Sequence, residues 1–375
     1  MKRTHDLSRA AGVRYEEIDP AKVDFLALAR GTLPYLDVPG FAPIASSIGQ
    51  SAFLMDAGDF ILAHVLEALG TKNRVADTLA LMRGDHAEHY ASMAKATAGT
   101  VLNDLATTGA QALSLLMLCA VGDSNWFGRQ TRRAGLGQGW SESCKVVRCV
   151  WGGGESPALR DLILPDGVVL AGSAMGVIRD KKNLITPDDL RPGLAMVGFA
   201  SNGVHENGYT SFRTEVAPLV GYDQSLRPYG GKGTFGEALL RPSHLYWPII
   251  RACQEAGIKI YWAINGTGHG LCKWMRTKKK FRFVIDFVPE PQPEFRLIAD
   301  VTGKTPRQMY AAFNMNIGFA IAIDPKDYRR VRSIARRLGI DAFKLGDVEK
   351  APRGKRSVEV PSLGIKYTEK DFKVH

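Results

Sequence analysis

Leu69-Gly70-Thr71-Lys72, read together with Val101-Leu102-Asn103-Asp104-Leu105 further along, decides how this chain is organised. The first stretch offers a turn residue, a hydroxyl and a cation, which together suit a phosphate oxygen. The second sets an amide beside a carboxylate on an expected helix, which suits a divalent metal or a polarised water. Lysine for phosphate and aspartate for Mg²⁺ are the minimum equipment for ATP chemistry. Alone, a Gly-Thr-Lys turn is an ordinary turn, and Asn-Asp on a helix is an ordinary solvated face. The neighbouring sequence has to choose between the readings.

Working outward, Asp59 to Leu66 is apolar enough for a strand leading to Gly70, and 74–83 and 87–108 read as helices. Ala94, Ala98, Val101, Leu102 and Leu105 recur at helical spacing and form a core-facing stripe. Thr100, Asn103 and Thr107 fall on another face with Asp104 at its margin, so their polar groups are expected to point away from the core. Ala112 to Leu118 reads as a buried strand. A Gly-rich, basic connection follows, then a strand from Val146 to Trp151 and a turn at Gly152-Gly153-Gly154-Glu155. Val168 to Ile178 and Ala195 to Ala200 are further strands. Phe281, Phe283, Ile285 and Phe287 alternate as a half-buried strand. The chain closes with strand Ile317 to Ile323, a basic helix from Tyr328 to Leu338 and strand Phe343 to Val348. Alternating elements of both kinds argue for α/β or α+β layers. Turn residues gather at Thr186-Pro187-Asp188-Asp189, which divides the chain into 1–187, 188–350 and a basic tail, 351–375, expected to be flexible.

The totals set bounds. A chain of 375 residues with 45% hydrophobic and 23% charged residues reads as a globular protein of two ordinary domains. No apolar h-region follows the charged start, and no apolar run approaches the roughly 18–20 residues of a membrane span, so a cytoplasmic protein is expected. Five scattered cysteines without a Cys-x-x-Cys pair read as reduced thiols. The formal net charge of +11 concentrates at Arg276-Thr277-Lys278-Lys279-Lys280 and in the tail. Neither stretch has aromatic interleaving or a nucleic-acid module, so nucleic acid is not an expected partner. No nucleophile elbow and no P-loop spacing occurs.

Two more glycine-rich stretches carry polar groups. Ser201-Asn202-Gly203-Val204-His205-Glu206-Asn207-Gly208-Tyr209 lies behind a strand, as binding loops on a rigid scaffold do. Asn265-Gly266-Thr267-Gly268-His269-Gly270 lacks the Rossmann order and its acidic partner, which argues against dinucleotide binding.

In sequence order these pieces resemble the aminoimidazole ribonucleotide (AIR) synthetase family. Arg9-Ala10-Ala11-Gly12-Val13 is similar to its N-terminal Asp-Ala-Gly-Val segment, and Leu69-Gly70-Thr71-Lys72 to its Asp-Gly-Val-Gly-Thr-Lys. Asn103-Asp104-Leu105 with Gly109-Ala110 resembles its Val-Asn-Asp-Leu…Gly-Ala helix, and Gly153-Gly154-Glu155-Ser156 its Gly-Gly-Glu-Thr. The 201–209 loop resembles Ser-Ser-Gly-x-His-Ser-Asn-Gly-Tyr. Met309-Tyr310-Ala311-Ala312-Phe313-Asn314-Met315 resembles Met-Tyr-Arg-Thr-Phe-Asn-Met, and Leu239-Leu240-Arg241-Pro242-Ser243 its Leu-Leu-x-Pro-Thr.

The resemblance implies an N-terminal ATP-binding domain, a C-terminal α/β domain and a homodimer joined through a shared barrel. It implies ATP-dependent ring closure of formylglycinamidine ribonucleotide, with Mg²⁺, by phosphorylation of the amide oxygen. Gly70, Thr71, Lys72, Asn103, Asp104 and Glu155 would meet ATP, and Glu67 and Asp104 would hold metal. Ser201, Asn202, Gly203, His205, Asn207, Asn265, Thr267, Gly268 and His269 would line the substrate side. Lys72, Asp104 and His205 would be the catalytic groups, His205 by moving a proton or touching phosphate. The sequence departs from the family pattern at Glu67, Ala96, Asn265 and Ala311, which stand where the family has Asp, Asp, His and Arg. Two other outcomes fit these departures. One is another ATP-using enzyme of the superfamily, a small-molecule kinase or a carbamoyl-dehydrating or selenophosphate-forming type. The other is a nucleotide-binding paralogue with weakened catalysis.

Overall fold

The computed structural model describes residues 15–372. The segment Arg9-Ala10-Ala11-Gly12-Val13 lies outside them. Two sheets form the frame. The first has six strands in the order β1-β2-β3-β6-β4-β5. These are β1 (Ala42–Pro43), β2 (Phe53–Asp56), β3 (Ile61–Ala68), β4 (Gln111–Val121), β5 (Val150–Glu155) and β6 (Val168–Ile178). Along β3, Ile61, Ala63 and Val65 face the core while His64 and Leu66 face out, so the alternation also turns Glu67 inward. Pairing runs antiparallel from Ile61 opposite Ile178 to Ala68 opposite Ala171.

The second sheet has seven strands, β13-β12-β9-β11-β7-β10-β8. They are β7 (Ala195–Phe199), β8 (Ile260–Asn265), β9 (Phe281–Ile285), β10 (Phe319–Ile323), β11 (Ala342–Lys350), β12 (Ser357–Val360) and β13 (Ile365–Thr368). β7 and β10 are buried at every position, as central strands covered on both faces are.

The Ala87–Ala106 helix lies at the centre of the molecule, buried continuously from Ala96 to Ala106. It packs on β3 and β6 on one side and reaches the second half on another. A two-faced amphipathic helix was expected here; instead Thr100, Asn103 and Asp104 are buried with the stripe. The polar groups point into the contact between the two halves, because both faces of the helix are covered.

The Gly-rich connection is in fact a helix, Gln130–Val147. Its glycines cost helix propensity, about 1 kcal/mol each against alanine. They are needed for close approach: a Cβ on Gly135 or Gly139 would lie 2.2 Å from the carbonyl oxygen of Ala87 or Ala91. Two further expectations fail. Gly152 to Glu155 is not a turn but the second half of edge strand β5, parallel to β4. The stretch expected to be a flexible basic tail contains β12 and β13, whose Val358, Val360, Ile365 and Tyr367 are buried. Two of its cations are paired, Arg356 with Glu369 and Lys366 with Glu359. Among the described residues, no helix is long and apolar enough to cross a membrane.

Candidate active site

Two polar clusters emerge from the motif residues, and they differ in kind. The first surrounds Glu67 at the end of β3 and Asp104 on the central helix. The Asp104 Oδ1 atom accepts a hydrogen bond from Asn265 Nδ2 at 2.9 Å, which joins the central helix to the end of β8. Lys273 follows on the short helical turn Gly270–Met275 and is buried. Its ammonium donates to the Asn265 carbonyl oxygen at 3.1 Å and to Thr267 Oγ1. Burial lowers its pKa to about 8, against the pull of Asp104 and Glu67 and with a further push from Arg276. Burial likewise lowers Arg276, which donates to the Gly49 carbonyl oxygen. Burial raises the Glu67 carboxyl and Asp104 adds to the rise, while Lys273 and Arg276 oppose it. Two carboxylates and two cations thus share one buried region. Among the described residues no ion pair within 4.0 Å joins them.

Asn265, Lys273 and Arg276 also wall a cavity of about 40 Å³, closed on its other side by Ser46, Gln50 and Ser51 and by Thr107 and Thr108 at the end of the central helix. The Gln50 Oε1 atom is buried there without a hydrogen-bond partner.

The second cluster belongs to Lys72. Gly70 takes a φ of 71°, a left-handed conformation that favours glycine, and the turn Gly70–Lys72 runs straight into the Asn73–Arg83 helix. That path drives the Lys72 side chain into the interior, where it is 0% exposed. Its ammonium donates to the Arg241 carbonyl oxygen at 2.7 Å, to the His205 carbonyl oxygen at 3.3 Å and to Glu206 Oε1 at 3.3 Å. Three acceptors use all three of its donors. In this geometry Lys72 is a strut between the halves. Asn103 is engaged in the same way. It donates to the His244 carbonyl oxygen at 2.8 Å and accepts from the Tyr246 backbone N–H at 2.9 Å, so both ends of its amide are used internally.

His205 has a φ of 57° and is buried, its Nε2 3.1 Å from Asn202 Oδ1. Burial holds its pKa well below the ordinary range, with Lys72 and His244 adding to the effect, so the ring is neutral. Ser201, Asn202 and Gly203 brace the same loop: Ser201 Oγ donates to Asn314 Oδ1 at 2.9 Å, Asn202 Nδ2 to the Pro242 carbonyl oxygen at 2.8 Å, and Asn314 Nδ2 to the Gly203 carbonyl oxygen at 3.0 Å. Asn207 donates to the Ala312 carbonyl oxygen and borders Gly268. Thr71 Oγ1 lies 3.5 Å from Thr210 Oγ1. His269, at a φ of 71°, is pushed down to about 4 by burial and then by Lys273. Glu155 stands apart. It is exposed on the edge strand, in register with Leu118, three strands from Glu67 and so roughly 14 Å away across the sheet.

Sequence reasoning missed Glu206, Lys273 and Arg276. Lys273 and Arg276 follow a Gly-rich loop at a spacing of three, a signal that both face one side of a turn. Arg276 instead reads as the start of an exposed basic run. A resident Mg²⁺ does not fit this donor set. Among the described residues no group of three or more His, Cys, Asp or Glu side chains could hold a metal. The Asn265 amide presents its donor end to Asp104, and two cations already balance the carboxylates.

Two mixed sheets about a buried central helix, with a cavity where the halves meet, define the AIR-synthetase-like fold. A structure of the HypE–HypF complex matches 91% of this chain and 98% of that one at a TM-score of 0.60 and 11% identity. Phosphoribosylformylglycinamidine synthase II of Thermotoga maritima matches 95% of this chain and 54% of that one at 0.57 and 14% identity. At such identities the likeness concerns the fold. No family model matches the chain. Among curated proteins, the phosphoribosylformylglycinamidine cyclo-ligase of Thermococcus kodakarensis is 31% identical over 356 residues, 95% of this chain and 98% of its own. That of Methanocaldococcus jannaschii is 27% identical over 317 residues, 84% of this chain and 86% of its own. The chain belongs to the phosphoribosylformylglycinamidine cyclo-ligase family, also called AIR synthetase.

Proposed function

We propose that this chain catalyses the ATP-dependent closure of formylglycinamidine ribonucleotide to aminoimidazole ribonucleotide, a ligase step of purine biosynthesis. The observation that carries this reading is the 31% identity along 95% of the chain to a relative bearing that enzyme's name. The relatives compared above share that name, which favours this reading over a kinase or a non-catalytic paralogue.

The chemistry asks for positioning and charge neutralisation. The amide oxygen attacks the γ-phosphorus of ATP and ADP leaves. The neighbouring nitrogen then closes on the activated carbon, and phosphate departs with the former amide oxygen. Asn265 lines the cavity; it is hydrogen-bonded to Asp104, and Lys273 in the same lining is bonded to Thr267. The 201–209 loop is held in place by Lys72 and Asn314. Mg²⁺ enters with ATP as part of that substrate, and no step is routed through a metal held by Glu67 and Asp104.

A homodimer is part of this proposal. The face of the first sheet turned away from the central helix exposes Leu66 on β3, Leu116 on β4 and Met175 on β6, an apolar surface suited to a second copy. The test of the reaction is ADP release on mixing the protein with formylglycinamidine ribonucleotide and Mg²⁺-ATP. No substrate-dependent ADP would sink the reading.

A further inference from the structure

The acidic pair Glu67 and Asp104 has the composition of a cation site, yet the chain brings its own cations to it. Lys273 is buried and Arg276 largely so, and both act electrostatically on both carboxylates. A lysine ammonium has three donors. Lys273 spends two of them on Asn265 and Thr267, which leaves one. Arg276 spends one arm on Gly49. Both side chains line the same cavity. Its volume of about 40 Å³ is room for roughly three waters or one tetrahedral oxyanion. Gln50 also lines the cavity, and its buried Oε1 atom, without a hydrogen-bond partner among the described residues, matches a ligand that also brings an N–H or O–H.

We propose that Lys273 and Arg276 supply from the chain itself the positive charge that the acidic pair would otherwise recruit as a divalent ion, and that they seat a phosphate group in the cavity they line. The ligand class is a phosphate monoester with a hydrogen-bond donor beside the phosphate. Asp104 and Glu67 hold the two cations in place, and Asn265 fixes the Asp104 carboxylate and one Lys273 bond together. The identity of the phosphate-bearing ligand rests on the cyclo-ligase reading. The electrostatic assignment does not, so its test reads binding and not turnover.

The experiment is calorimetric titration of the full chain with inorganic phosphate in the presence of EDTA, and separately with Mn²⁺ in the absence of nucleotide. The wild type is expected to bind phosphate without metal and to hold no Mn²⁺ of its own. Lys273→Met is expected to weaken phosphate binding at least tenfold and, with the acidic pair uncovered, to gain Mn²⁺ binding. Lys273→Arg is expected to keep the phosphate and exclude Mn²⁺. A merely structural lysine would not exchange one ligand for the other. Should Lys273→Met fail to fold, Arg276→Gln carries the same test at a less buried position. Equal phosphate binding in wild type and variant would overturn the proposal. So would one Mn²⁺ per wild-type chain. Failure of ADP release with phosphate binding intact would count against the reaction and leave this site standing.

Discussion

Lys72 and Lys273 are both buried lysines beside glutamate or aspartate, and both follow glycine-bearing turns, yet the structure uses them in opposite ways. Lys72 gives its three donors to Arg241, His205 and Glu206. Lys273 gives two to the protein and lines a cavity with the third to spare. The difference is one of saturation. A buried ammonium with every donor paired holds elements together, whereas one left partly unpaired at a cavity is available to a ligand.

The sharpest way to break that contrast is to remove each charge. Lys72→Met leaves Glu206 buried without its cation, and stability to urea should fall by about 3–5 kcal/mol. Lys273→Met removes a charge that burial already disfavours. With no carboxylate of the described residues within 4.0 Å of that ammonium, Lys273→Met should lose less stability than Lys72→Met, while phosphate binding is lost. If the two variants lose stability equally, the distinction fails. Next in size, Asn103→Ala removes both bonds between the central helix and residues 244–246. It should cost about 2 kcal/mol, read as a lower midpoint without a change in slope.

A comparable effect is expected from pH. His269 has a folded pKa of about 4 against an ordinary 6.5, so between those values the unfolded chain binds a proton that the folded chain does not. Its contribution to stability is present above 6.5 and is lost as pH falls toward 4, amounting to about 3 kcal/mol. His269→Asn, which tolerates the left-handed backbone, should flatten the fall of the melting temperature over that range. The smallest effect on stability, within about 0.5 kcal/mol, is expected of Leu66→Glu on the exposed sheet face. Its readout is mass by light scattering, where a shift from dimer to monomer is expected. An unchanged mass would remove that face from the proposed interface.

Much of the scaffold was legible because it follows local rules. The apolar stretch from Asp59 to Leu66 and the buried run of β6 match strands at Ile61–Ala68 and Val168–Ile178. Helices at 73–83 and 87–106 follow from spacing. The Gln130–Val147 helix escaped because Gly135 and Gly139 read as loop residues. Their reason is a contact with Ala87 and Ala91 that lies far off in sequence. The hairpin of β12 and β13 escaped because its lysines and arginines suggest a solvated tail, and their partners Glu359 and Glu369 are visible only once the strands pair. At the site, Asp104, Asn265 and Thr267 were anticipated and do come together. Lys72, Asn103 and His205 were anticipated as chemistry and are found as internal supports.

Residue order and periodicity, then, determined the family and the α/β class, and brought Asp104 and Asn265 into view but not Lys273 or Arg276. Whether a given polar side chain meets a ligand or a backbone carbonyl was decided only by the packing of one half on the other. That choice depends on how many donors remain after residues far apart in the chain have met. For Lys72 none remain, for Lys273 one does, and no local pattern in the sequence distinguishes the two.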